Sequence, residues 1–176
     1  MRARTIVLGV AGVGALGLLV LAFPEAKKEK PVIFERKGTP KLGRLEKPDA
    51  DWRAQLTPEQ YRVARRKGTE SAFSGATWNT KDEGEYHCVC CDQPLFASAA
   101  KYDSGTGWPS YWQPIDIENV SLVSERSFFG RRIEVICSRC DAHLGHVFDD
   151  GPPPTGQRYC MNSAALRFVE CDAKKE

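Results

Sequence analysis

The sequence predicts a mainly β domain of antiparallel strands with one helix, carried behind an N-terminal tail. Three observations point there. Short segments that alternate or are β-branched ("GEYHCV", "VSLVSE", "RRIEVIC", "AALRFVE") recur between Gly, Pro, Asp and Ser breaks. Only one stretch carries a full set of helix signals. Two Cys-x-x-Cys pairs each follow a strand-like segment and run into turn residues. With 176 residues, 41% hydrophobic and 27% charged, the chain holds one globular domain plus a tail. Net charge is +2 with both signs interspersed, which gives no basic stripe for nucleic acid.

In chain order, the tail comes first. Arg2 and Arg4 precede an uncharged run of 18 residues from Ile6 to Phe23, and a Lys-rich stretch follows. Apolar all round and just long enough to span a bilayer, this run reads as a signal peptide or signal anchor over residues 1–26. The expected setting is export or membrane anchoring with the domain outside the cytoplasm, periplasmic in a bacterium. Residues 27–50, rich in Lys, Pro and Gly, read as a flexible linker. The domain is expected over 51–176.

The helix is "TPEQYRVARRKG". Thr57 is the N-cap, Pro58 takes the first helical position, Gln60 completes a capping box, and Gly68 closes it. Strands follow, with a turn at Gly130 between "SLVSERSFF" and "RRIEVIC".

Cys88/Cys91 and Cys137/Cys140 are two knuckles separated by 45 residues. Four thiolates in this pattern make a closed tetrahedral zinc site, structural because no coordination position is left for water. A pair of disulfides is the competing arrangement, but the sequence lacks the thioredoxin-like βαβ pattern that redox-active pairs favour. Cys90 is left over.

Cys160 sits in "TGQRYCMNSAALRF", where a strand would put Arg158, Cys160 and Asn162 on one face. Composition leaves it open as a buried thiol or a nucleophile. His143 and His146 precede it and admit metal binding, a structural role or acid chemistry near neutral pH. Both histidines and Arg158 supply positive charge that would lower the Cys160 thiol pKa. Trp108, in the Gly-rich loop "KYDSGTGWPSYW", offers an aromatic face for a methyl or thioether group.

Taken together, "LTPEQYRVARRKGTE", "Y-x-C-x-x-C-x-x-PLF", "KYDSGTGWPSYW", "EVICSRCDAHLGHVFDDGP" and "PTGQRYCMNSAALRF" resemble the methionine-R-sulfoxide reductase (MsrB) family from about Trp52 to Val169. The resemblance implies two antiparallel sheets in a β-tent-like, Mss4-like architecture, and one structural zinc ion on Cys88, Cys91, Cys137 and Cys140. It also implies thiol-dependent reduction of methionine-R-sulfoxide, protein-bound or free, through a Cys160 sulfenic acid. That function is repair of oxidised proteins under oxidative stress, by a monomer served by a thioredoxin-like reductant. By position, Cys160 is the nucleophile, and His143, His146 and Asn162 surround the sulfoxide oxygen. Trp108 meets the substrate methyl group, with Arg158 and Asp150 as supporting charges.

One position departs from the family pattern. Many members carry a resolving cysteine in the "SG-x-GWP" loop, where this chain has Thr106. Either a reductant attacks the sulfenic acid directly, or Cys171 or Cys90 substitutes, with Cys171 the better placed. Other functions fit parts of the sequence: a zinc-stabilised binding module would need none of the Cys160, His146, Asn162 and Trp108 set. A thiol-disulfide oxidoreductase would need a metal-free Cys-x-x-Cys.

Overall fold

A computed structural model describes residues 35–127 and 130–171. The apolar run at 6–23, with its export or anchor reading, lies outside the described residues. Among the described residues no helix is long and apolar enough to cross a membrane.

The polypeptide is mainly β. Among the described residues, helix α1 (Asp49–Gln55) and helix α2 (Pro58–Arg66) precede nine strands. These are β1 (Gly84–Cys88), β2 (Pro94–Ala97), β3 (Lys101–Tyr102), β4 (Ser110–Tyr111), β5 (Val120–Ser127), β6 (Gly130–Cys137), β7 (His143–Phe148), β8 (Arg158–Met161) and β9 (Leu166–Glu170). They form two antiparallel sheets, ordered β2-β1-β9 and β3-β4-β8-β7-β6-β5.

Helix α2 starts as the sequence predicts: Thr57 Oγ1 accepts from the Gln60 amide, and Gln60 Oε1 accepts from the Thr57 amide. Its end differs by one residue. Lys67 (φ 55°) takes the left-handed position, and the Gly68 amide reaches back to the Arg62 carbonyl. Helix α1 was not foreseen. Its seven residues bury only Trp52, which lies between the cations of Lys47 (4.9 Å) and Arg65 (4.8 Å). A helix this short is marginal alone, so packing sustains it.

The two sheets meet along an aromatic seam. Phe96 of β2 stacks on Tyr111 of β4 at 4.4 Å and tilts against Tyr159 of β8 at 5.8 Å. Tyr86 of β1 contacts Tyr111 at 5.2 Å. Each such buried ring contributes about 1.5–3 kcal/mol by transfer, which makes this seam a large part of the core.

Residues 36–45, expected as part of a flexible linker, lie on the six-stranded sheet. Arg36 exchanges both backbone hydrogen bonds with Leu122 on edge strand β5, and its guanidinium pairs with Glu118. Arg44 pairs through two nitrogens with Asp141. A bidentate pair of this kind fixes geometry as well as adding energy, so composition alone understated how firmly this segment is held.

Candidate active site and metal centre

The two knuckles are built alike. Asp92 (φ 62°) and Asp141 (φ 56°) each take the left-handed conformation that Asp tolerates better than most side chains. The turn places the amide of Asp92 on the Cys88 carbonyl (2.9 Å) and that of Asp141 on the Cys137 carbonyl (3.0 Å). The sulfurs of Cys88, Cys91, Cys137 and Cys140 then converge within 4.8 Å of one another. Cys88 Sγ lies 3.7 Å from Cys140 Sγ and Cys91 Sγ 3.6 Å from Cys137 Sγ. Tetrahedral zinc with bonds of about 2.3 Å requires sulfurs about 3.8 Å apart, so these residues fit the ion. Cys90 is buried beside this group, outside the four-sulfur set.

Cys160 lies elsewhere. It is half-buried in the middle of the six-stranded sheet, opposite Ser110 on β4 and His146 on β7. His146 in turn pairs with Glu134 on β6, three residues before Cys137 of the four-sulfur cluster. At normal strand spacing and rise, Cys160 stands about 10 Å across and about 10 Å along from Cys137. The metal centre and the thiol are therefore separate sites.

Strand alternation puts Arg158 and Cys160 on the same, partly open face while Tyr159 and Met161 point to the core. Arg158 donates two hydrogen bonds to Asp150, at 2.8 and 2.9 Å, with its guanidinium 4.4 Å from the Phe148 ring. Burial pushes the Cys160 thiol up, against the pull of Arg158, Thr106 and Ser110. Burial here outweighs the nearby positive charge that was expected to lower the thiol pKa. Thr106, standing where a resolving cysteine was looked for, joins Ser104 and Ser110 in a hydroxyl network with links of 2.8 Å.

The histidines share a face because β7 carries an extra residue, Leu144, between the positions that pair with Val135 and Ile136 of β6. Their ring centroids are 5.5 Å apart. Gly145 is required by close approach: a Cβ there would sit 2.1 Å from the Cys160 carbonyl oxygen. Burial lowers the His146 pKa, although Glu125 at 2.6 Å from Nε2 acts to raise it. His143 Nδ1 lies 2.7 Å from Glu134 Oε1, and its Nε2 is buried with no hydrogen-bond partner among the described residues.

Asn162 departs from its expected place. The strand ends at Met161, and both ends of the Asn162 amide bond to backbone: Nδ2 donates to the Leu144 carbonyl (3.0 Å), and Oδ1 accepts from the Glu70 amide (3.1 Å). Its role in the structure is to tie the end of β8 to neighbouring segments. Trp108 follows Gly107, whose positive φ of 84° and contact with Phe73 leave no room for a Cβ. The Trp108 indole donates to the Glu70 carbonyl at 3.2 Å. Cys171 is exposed just past β9, in the other sheet from Cys160.

Three acids were missed by sequence reasoning. Glu70 is buried, and its carboxylate accepts from the Ser163 and Ala164 amides at 2.7 and 2.8 Å. Glu134 and Glu125 hold the two histidines. Only Glu134 left a trace in the sequence, as a charge inside the β-branched run "RIEVIC".

A family model for the SelR domain matches residues 56–170. A Hahella chejuensis protein named peptide methionine sulfoxide reductase MsrB is 58% identical over 137 residues, covering 77% of this chain and 99% of the relative. Its namesake in Methanosarcina mazei is 54% identical over 134 residues, 76% of this chain and 96% of that one. A rice protein named peptide methionine sulfoxide reductase B1, chloroplastic, is 62% identical over 121 residues, 68% of this chain but 56% of the longer relative.

Proposed function

Because this chain belongs to the SelR-domain family of peptide methionine sulfoxide reductases, we propose that it returns methionine-R-sulfoxide to methionine through a Cys160 sulfenic acid. The observation that carries this reading is the direct cross-strand pairing of Cys160 with His146. Residues opposite each other in adjacent antiparallel strands have their side chains about 4.5–5.5 Å apart at Cβ, on one face.

In the resting site a raised thiol faces a lowered, neutral imidazole. Glu125 accepts the Nε2 proton of His146, which leaves the lone pair on Nδ1. His146 takes the thiol proton as the Cys160 sulfur attacks the sulfoxide sulfur, and Glu125 stabilises the imidazolium. The proton then goes to the sulfoxide oxygen, which is a poor leaving group until protonated. The substrate S–O bond then breaks as the hydroxyl passes to the Cys160 sulfur, the new S–S bond breaks with it, and the substrate sulfur, reduced by two electrons, leaves as the thioether. Oxygen ends on Cys160 as S–OH, carrying the proton that began on the thiol. Arg158, fixed by Asp150, favours the thiolate as it forms. Trp108 offers its ring to the substrate methyl group, and His143 stands beside His146. Asn162 acts through the backbone it ties.

Regeneration needs two thiols. One converts S–OH to a mixed disulfide with release of water, and the second reduces that disulfide. A thioredoxin-like dithiol supplies both, or Cys171 supplies the first. Peptide mapping after stoichiometric oxidation separates these routes, since only the second gives a Cys160–Cys171 disulfide.

Cys88, Cys91, Cys137 and Cys140 would hold one zinc ion, which supplies structural cross-linking of β1 and β6 and takes no part in the reaction. The protein acts as a monomer on oxidised proteins, with the free amino acid as a further substrate. Its N-terminal run exports or anchors it, and fractionation with N-terminal sequencing tests that setting. Incubation with the two sulfoxide epimers and dithiothreitol tests the reaction: selective loss of the R form is expected. Turnover of neither would favour a binding module.

A further inference from the structure

Glu134 of β6 is a buried carboxylate that the reaction as written does not use. It is 1% exposed and accepts from two groups, His143 Nδ1 at 2.7 Å and Lys67 Nζ at 2.6 Å. Burial alone would raise its pKa, yet the hydrogen bonds from His143 and Lys67 hold it below the usual carboxylate range. Lys67 is brought there by the end of helix α2, where it occupies the left-handed cap position at φ 55°. Glu134, Lys67 and His143 thus form a chain running from the surface to the histidine pair.

The far end of that chain is unusual. His143 is 3% exposed, and its Nε2 has no hydrogen-bond partner among the described residues. Leaving such a nitrogen buried and unpaired costs about 1–3 kcal/mol, which a fold tolerates where a ligand can complete the bond. A neutral imidazole has one donor and one acceptor nitrogen. If Nδ1–H is committed to an ionised carboxylate, Nε2 must be the acceptor. The ring lies 5.5 Å from that of His146, itself opposite Cys160.

We propose that Glu134, backed by Lys67, is a positioning residue for the reductase reaction, locking His143 as the Nδ1–H tautomer so that Nε2 accepts a hydrogen bond from the hydroxyl formed on the sulfoxide oxygen. This inference rests on the reductase reading above. No electrons pass through Glu134, and its proton inventory is unchanged. It fixes an acceptor beside the donor His146, so that one histidine delivers the proton and the other holds the O–H that results. The opposite tautomer would present a second donor and leave that hydrogen without a partner.

The test uses the full chain, labelled with 15N-histidine, as wild type, Glu134→Gln and Lys67→Met. A glutamine at 134 either accepts from or donates to Nδ1, so the tautomer is no longer imposed. Imidazole 15N spectra should show Nδ1–H at His143 in the wild type and a population of Nε2–H in Glu134→Gln. In that variant kcat for the R-sulfoxide should fall about 100-fold, the lower end of what a positioned acid–base group contributes, with KM changed less than about threefold. Lys67→Met, at an exposed side chain, should lower kcat by about tenfold and leave zinc content unchanged. An Nδ1–H tautomer retained in Glu134→Gln, or a kcat within about threefold of wild type, overturns the proposal. Should Glu134→Gln fail to fold, Lys67→Met decides alone, and an unchanged kcat there overturns it. Absence of R-sulfoxide turnover in the wild type would instead overturn the reductase reading, because the tautomer measurement needs no substrate.

Discussion

Gly145→Ala is the sharpest test of how the sheet holds Cys160 against His146. Gly145 lies on β7 opposite Met161 of β8, next to the His146–Cys160 pair. An added Cβ would meet the Cys160 carbonyl oxygen at 2.1 Å, the Met161 Cα at 2.9 Å and its Cε at 3.0 Å. The Met161 side chain can turn aside; the backbone of β8 cannot. An ordinary contact starts near 3.4 Å, so β8 must retreat from β7 by roughly 1 Å. Overpacking of this kind costs about 1–3 kcal/mol, and the backbone clash puts this case at about 2–3. For a domain of this size that lowers Tm by roughly 6–12 °C. The retreat carries Cys160 away from the imidazole proposed to take its proton, and a misplacement near 1 Å should lower turnover by about 100-fold. Thermal unfolding and steady-state turnover of the R-sulfoxide read the two effects separately. The reasoning is falsified if Gly145→Ala keeps wild-type Tm and kcat, because β7 and β8 would then not set the reacting geometry.

Other consequences follow from the same contacts. Arg158 draws the Cys160 thiol down against the effect of burial, so Arg158→Met should slow iodoacetamide alkylation of Cys160 at pH 8 by about tenfold; an unchanged rate would remove Arg158 from thiol activation. His146 must be neutral to accept that proton, and burial lowers its pKa from 6.5 despite Glu125. The acid limb of kcat/KM should therefore fall below pH 6.5, and Glu125→Gln should move it lower still. An acid limb above 6.5, or one that shifts upward in the variant, would contradict the assignment. For stability the sign is the same: the unfolded chain binds the His146 proton more readily, so stability from this group is present above 6.5 and lost as pH falls below it. Cys137→Ser removes one of four ligands and should abolish zinc binding with a loss of several kcal/mol, read by metal analysis and unfolding. Cys160→Ser should retain full zinc content, and metal loss there would contradict two separate sites.

Much of this arrangement could be read from residue order, and the remainder shows why some could not. The capping box of α2 and both knuckles are local devices, with partners three or four residues apart, so sequence spacing reveals them. Period-two alternation correctly put Arg158 beside Cys160, but failed at Asn162 because a short 3-10 turn begins there and redirects the side chain. Helix α1 depends on Trp52 finding Arg65 and Lys47, a tertiary fact that seven residues cannot announce. The carboxylates show the same limit more strongly. Glu125, Glu134 and Glu70 reach their partners across 21, 9 and 93 residues, and only the tertiary arrangement of strands and loops decides those pairings. Arg36 and Arg44 likewise looked like solvated charges of a tether until the fold supplied Glu118, in the turn before β5, and Asp141, in the second knuckle.

The most direct measurement of the central claim follows both epimers of a methionine sulfoxide peptide, separated chromatographically, with the protein and dithiothreitol. The account predicts loss of the R epimer alone, with methionine appearing in equal amount. It also predicts no loss in Cys160→Ser at undiminished zinc content. Reduction of the S epimer, or R turnover that survives the removal of Cys160, would contradict it.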